Sequence, residues 1–195
     1  MSGRKKVAVI GAARNVVSPA SNARKLYDAM YSAVLTCLDD WNLRLEHATL
    51  VSGGSAWVDH VAVRLFNECS AGMLELHLPC EFASGGKFVD TGARHWRQNP
   101  GRLLNLVHTD FSSETGVDSF LDLSDACANG AVCRTYSGFH TRNTRIAHDC
   151  DYMIAIFRNA DDRGGTWDTW SKCNLPESRR VRIHLTELSA WSAFM

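Results

Sequence analysis

The chain has 195 residues, with 21 basic residues balancing 21 acidic ones, 45% hydrophobic residues, 14 Gly and 4 Pro. Such a chain suits one domain, with or without a sizeable insertion, and its composition excludes disordered, collagen-like and coiled-coil proteins. Zero net charge argues against a general binder of nucleic acid or anionic membrane, which would carry a basic excess.

Arg4-Lys5-Lys6 leads into Val7–Ile10, an apolar, β-branched run that ends at Gly11 and predicts a strand buried on both faces. That run is too short for a signal peptide, and no stretch approaches the ~20 apolar residues of a membrane span. A soluble, cytoplasmic protein with no membrane partner is expected. From Asn22 to Asp40, apolar residues recur in steps of three and four (Leu26, Ala29, Met30, Ala33, Val34, Cys37, Leu38), which marks an amphipathic helix. Ala48–Val51 reads as a second strand stopped by Ser52-Gly53-Gly54, Val58–Cys69 as a helix, and Met73–Leu78 as a third strand closed by Pro79. Glu75 and His77 alternate with the apolar residues of that strand, so one of its faces is expected to be less buried than a central strand's.

From Glu81 to about Gly138 the pattern breaks up, with short helices expected near Leu103–Val107 and Phe120–Cys127. A segment this long is read as a helical insertion or cap, 81–138, within a single domain spanning 1–195. Order returns with a helix over Thr141–His148 and a buried strand over Asp151–Phe157. A helix near Trp167–Cys173 and a closing strand over Val181–Leu185 follow. The expected fold is α/β: a Rossmann-like, doubly wound parallel sheet of about five strands, with a helical insertion after the third.

In such a sheet the turns after the strands project from the carboxyl edge, where ligands bind. Three of them carry glycine: Gly11 to Asn15, Ser52 to Ser55, and Arg163 to Thr166. Glycine lets backbone approach a phosphate, and the helix that follows aims free N–H groups at it. The candidate ligand site is therefore Gly11, Arg14, Gly53, Gly54, Ser55, Gly164, Gly165 and Thr166, with Arg142 and Asn143 beside them and Trp57 or Trp167 stacking on a base. Each has an ordinary alternative: Asp59 as a helix cap, Arg142 in a surface ion pair with Asp149, Trp167 and Trp170 as core residues. Neither GxGxxG nor a Walker lysine is present. The seven cysteines show no CxxC spacing, so free thiols and no metal are expected. No cofactor is expected either.

Leu50-Val51-Ser52-Gly53-Gly54-Ser55-Ala56-Trp57-Val58-Asp59-His60-Val61-Ala62 resembles the "sGGArGvDxxA" signature of the SLOG superfamily. That is the Rossmann-like fold of the DNA-processing protein Smf/DprA, the YspA-like proteins and the Lonely Guy phosphoribohydrolases. Arg142-Asn143 through Asp151–Phe157 is similar to its "RN…A…aDyviAF" block, and Gly164–Trp170 resembles its "GGT" phosphate turn. The YspA-like branch is the nearest. The resemblance implies a pocket at the carboxyl edge for a nucleotide, a nucleoside phosphate or an ADP-ribose-like ligand, and a homodimer.

Two departures stand out: Trp57 replaces the signature glycine, and Thr169 occupies the place of the Lonely Guy catalytic glutamate, one residue after Asp168. The leading expectation is thus a sensor, carrier or sequestering protein for a nucleotide-derived ligand, cyclic nucleotides included. The alternative is an N-glycosidase using Asp59 or Asp168 as its carboxylate. A single-stranded DNA binder, by analogy with Smf/DprA, comes third and is opposed by the neutral charge.

Overall fold

The computed structural model describes residues 3–13, 22–69 and 72–192, the side chains of 189–192 excepted. Arg14 lies outside the described residues, as does the end of the apolar tail. The β-branched runs pair as a parallel sheet: β1 (Lys5–Gly11), β2 (Ala48–Ser52), β3 (Met73–Leu78), β6 (Val132–Thr135), β7 (Tyr152–Phe157) and β8 (Arg180–His184). Their spatial order is β6-β3-β2-β1-β7-β8, with Val7 beside both Leu50 and Tyr152. The fold is therefore α/β, Rossmann-like and doubly wound.

The two faces are covered by different helices. Leu50, Leu74, Leu76 and Ile154 face α1 (Ala23–Asp40), α2 (Val58–Cys69) and two helices of the inserted segment, α3 (Pro100–Thr115) and α4 (Ser119–Ala128). Ala8, Val51, Met153 and Phe157 face α5 (Gly138–His148) and α6 (Gly165–Lys172). A last helix, α7 (Leu185–Ser192), follows β8, and its Leu188 joins the first of these clusters. Among the described residues, no helix is long and apolar enough to cross a membrane.

Local chemistry sets the element ends. Asn99 caps α3 by accepting from the Arg102 N–H at 3.2 Å, Pro100 fills its first turn, and Gly116 closes it in the left-handed conformation at φ 73°. Asp118 caps α4 by accepting from the Leu121 N–H at 3.1 Å.

Three expectations are corrected. Among the described residues the sheet has six strands, and the inserted segment is not wholly helical. It contains the hairpin β4 (Phe82–Ala83) and β5 (Lys87–Phe88), and it returns to the sheet as β6 on the β3 edge. β6 is four residues long and largely exposed, so it lacks the apolar run that announces a buried strand. Glu75 and His77 are buried as well, because α5 covers their face of β3. Burial of these groups is balanced by charge: Lys6 Nζ bonds Glu75 at 3.0 Å and Asp149 at 3.1 Å. Glu75, His77 and Asp149 offer ligand-type atoms within 4.8 Å of one another, and the Lys6 ammonium bridges the two carboxylates.

Candidate functional site

The chain runs outward through β1, β2, β3 and β6, then crosses back to continue at β7 and β8 on the other side of β1. The carboxyl ends of β1 and β7 thus flank the topological switch point, where open α/β sheets bind ligands. Gly11 ends β1 there. A Cβ on it would come within 2.5 Å of Val58 and 2.6 Å of the Ile156 carbonyl, so only glycine lets α2 approach so closely.

Asp59 sits in the first turn of α2, yet its carboxylate does not serve only that helix. One oxygen accepts from the Gly11 N–H at 3.1 Å, and the other lies 3.3 Å from Arg142 Nη1 on α5. The Ser55 N–H is a further donor to the same carboxylate. This buried pair joins the helix layer on one face of the sheet to the layer on the other, passing over the end of β2. Burial pushes the Asp59 carboxyl up, and the Arg142 guanidinium pulls the other way. Burial likewise brings Arg142 down against the opposing pull of Asp59. Arg142 is not the surface partner of Asp149, which bonds Lys6 instead.

Gly53 lies directly under this pair. A Cβ there would overlap the Arg142 guanidinium and fall 2.5 Å from Asp59 Oδ2. Gly53→Ala is therefore expected to cost about 1–3 kcal/mol, as overpacking does, in urea unfolding. A cost below a few tenths of that would show that the pair moves aside freely.

Gly54 takes φ 66° and Trp57 φ 62°. Trp57 thus holds a left-handed backbone position, which tryptophan adopts at a cost of roughly 1–2 kcal/mol. Its indole is 2% exposed and meets the Phe111 ring edge-to-face at 5.1 Å. Trp57 accordingly belongs to the core, with no ring face open to a base. The Gly54 carbonyl is held by His108, whose Nε2 lies 3.1 Å away while Nδ1 lies 2.9 Å from the Ser119 hydroxyl. A carbonyl accepts only, so Nε2 carries the proton and Nδ1 accepts from Ser119.

At the other turn the N-cap of α6 is Gly164, which has no side chain to cap with, and its own N–H donates to the Asp162 carboxylate at 3.1 Å. Asn143 Nδ2 approaches the Gly165 carbonyl at 3.4 Å and donates to Asp168 at 2.9 Å. Adjacent residues of α5 therefore reach the two glycine turns: Arg142 lies over Gly53, and Asn143 touches Gly165. Asp168 also accepts from Lys172 at 2.9 Å and lies 3.4 Å from His140 Nδ1. Burial alone would raise it, but the bonds from Lys172 and Asn143 hold it below the usual carboxylate range. The Trp167 ring is covered by the Arg163 guanidinium at 4.4 Å.

A curated protein, uncharacterized protein R261 of Acanthamoeba polyphaga mimivirus, is 35% identical to the chain over 189 residues, covering 94% of this chain and 98% of that one. The chain belongs to the R261 family. No family model matches it. Because the shared length takes in nearly the whole chain, the segment 81–138 is part of what the R261 family has in common.

That segment supplies what the glycine turns did not announce. His108 comes from α3 to hold a turn 54 residues away, a distance across which no local pattern operates. Trp96 comes from the loop before α3, with its ring 5.9 Å from Phe139 and 6.3 Å from His140 at the start of α5.

Proposed function

We propose that this protein binds a nucleotide or nucleotide-derived ligand at the carboxyl edge of its sheet, as a sensor, carrier or sequestering protein, in the manner of the SLOG superfamily. The observation that carries the reading is the junction at Arg142 and Asn143, where two glycine turns at helix N-termini meet one guanidinium and one amide beside the switch point. The α2 turn already has its anion in the Asp59 carboxylate. The phosphate is therefore assigned to the N-terminus of α6, at Gly164, Gly165 and Thr166. The Gly164 N–H already donates to the Asp162 carboxylate at 3.1 Å. The phosphate is thus left to the N–H groups of Gly165 and Thr166 and to the helix dipole, which favour an anion by about 0.3–1 kcal/mol. The Nε of Arg142 is buried and, among the described residues, has no hydrogen-bond partner. A charge-assisted bond from Arg142 would add about 1.5–3 kcal/mol. These contributions fall short of the roughly 8 kcal/mol of a micromolar complex, so the rest of the ligand must supply several more.

The test is a thermal-shift and mass-spectrometric screen of the purified protein against nucleoside phosphates, ADP-ribose and cyclic dinucleotides. Gly165→Val is the matching variant, because the nearest atom to a Cβ there is Asn143 Nδ2 at 3.8 Å, an ordinary contact. It is expected to fold normally and to weaken phosphorylated ligands by about tenfold or more, its branched side chain taking the phosphate's place. Normal binding by this variant would remove the α6 turn from the site.

One observation favours N-glycosidic hydrolysis as a second reading. Asp168 is held ionised, one quarter exposed and 3.4 Å from His140, as a carboxylate that stabilises an oxocarbenium-like ribose should be. The same screen separates the two: a binder returns its ligand intact, and a hydrolase releases free base.

A further inference from the structure

Trp96 is 40% exposed, unusual for an indole on a loop that is firmly tied down. The tie is Asn99, almost wholly buried, whose amide donates to Asp90 at 2.5 Å and to the Ala93 carbonyl at 2.9 Å. Its carbonyl accepts from the Thr91 N–H at 3.2 Å. The loop is thus fixed at its base and still leaves a large apolar ring in solvent.

The ring stands beside the start of α5, tilted against Phe139 at 5.9 Å and His140 at 6.3 Å. The same turn leads to the proposed phosphate site: the Arg142 guanidinium lies 5.5 Å from the Phe139 ring, and His140 lies 3.4 Å from Asp168 on α6. A flat apolar platform next to a guanidinium and a helix N-terminus, whose Gly164 N–H alone is taken by Asp162, matches a molecule that is aromatic at one end and anionic at the other. Of the two indoles expected to stack on a base, Trp57 is buried in the core and Trp167 is half-buried under Arg163 at 4.4 Å. Trp96 carries Arg97 at 5.2 Å and His95 stacked at 5.9 Å, yet it is the most exposed of the three.

We infer that Trp96 is the base platform of the site: the nucleobase of a nucleoside phosphate stacks on its indole while the phosphate sits at the start of α6. This rests on the nucleotide-binding reading and adds the residue that selects a ligand with a base over a bare sugar phosphate. The inserted segment then contributes half of the binding site, and the doubly wound sheet contributes the other half.

The experiment is calorimetric titration of the full chain with the four ribonucleoside 5′-monophosphates and with ribose 5-phosphate, in wild type, Trp96→Ala, Trp96→Phe and Gly165→Val. Trp96→Ala is expected to weaken the best monophosphate by about 5- to 100-fold, the range of base–aromatic stacking, and to leave ribose 5-phosphate unchanged. Trp96→Phe should stay within about threefold of wild type, since a phenyl ring still stacks. An equal loss for the monophosphate and ribose 5-phosphate, or no loss, overturns the platform. In that event a loss of both ligands in Gly165→Val leaves the phosphate site standing. If wild type binds none of the five compounds, the platform for a nucleoside monophosphate falls, and the nucleotide-binding reading falls with it only if the screen against ADP-ribose and cyclic dinucleotides is also negative.

Discussion

Asp59→Ala is expected to destabilise the protein by about 3–5 kcal/mol, the range found when one member of a buried ion pair is removed. The cost is not the lost attraction alone. The Arg142 guanidinium would stay buried at 8% exposure without its counter-ion, and the Gly11 and Ser55 N–H groups would lose their acceptor. Because the pair ties α2 on one face of the sheet to α5 on the other, its loss also frees the Gly53 turn. The comparison that isolates the pair is a double-mutant cycle with Arg142→Met and Asp59→Leu, followed by urea unfolding. The double variant should be more stable than the sum of the two single losses implies, since apolar partners leave no charge uncompensated. A cost below about 1 kcal/mol for Asp59→Ala, or strict additivity in the cycle, would show that water reaches Arg142 and that the pair is a surface feature.

How far the sequence announced this depends on the range of the interaction involved. β1, β2 and β7 were legible because strands buried on both faces are mainly apolar, as Val7–Ile10 and Asp151–Phe157 are. β3 and β8 were announced instead by apolar residues alternating with polar ones (Leu74, Leu76, Leu78; Val181, Ile183). The bounds Val58–Cys69 and Met73–Leu78 also follow from periodicity and Pro79. β6 was not legible. It is stabilised by pairing with β3 at the edge, which asks for backbone geometry and not for apolar side chains.

The glycine turns were found from glycine's special backbone, but the reason for each differs. Gly53 is glycine because Arg142 lies on it, and Gly54 because its φ is positive. Trp57, by contrast, keeps a left-handed backbone under a buried indole, a conflict between local preference and packing that only tertiary contacts resolve. Arg142 and Asn143 were legible as a pair on a helix, yet the partner Asp59 lies 83 residues away, beyond any local pattern. Trp96 had still less signal, since it lies in an irregular stretch between turns.

Acid is expected to destabilise the protein through His108, in a window set by its own titration. Burial brings this imidazole down to about 3, helped by the neighbouring His60 and opposed by the Gly54 carbonyl. The unfolded chain takes up the proton near the ordinary value of about 6.5. Between those values the unfolded state binds more protons than the fold, so stability falls as pH drops below about 6.5 and is flat above it. One proton corresponds to a slope of about 1.4 kcal/mol per pH unit, and over the roughly 2.5 units between pH 6.5 and pH 4 this makes the protein about 3 kcal/mol less stable at pH 4 than at pH 7 from this residue alone. His77 adds to the trend, because burial lowers it too against the pull of Asp149 and Glu75.

Carboxylates titrate over part of the same range, so the wild-type profile cannot isolate the histidine. His108→Gln can: its amide keeps a donor for Gly54, and the side chain does not titrate. It should be less stable than wild type at pH 7, and the gap should close as the pH falls to 4. A gap that stays constant from pH 7 to pH 4 would mean that His108 takes up its proton in the fold as readily as in the unfolded chain, and so is charged there below about pH 6.5. In that case the Gly54 turn would be held by a charged imidazolium, and the site would carry one more positive charge for an anionic ligand.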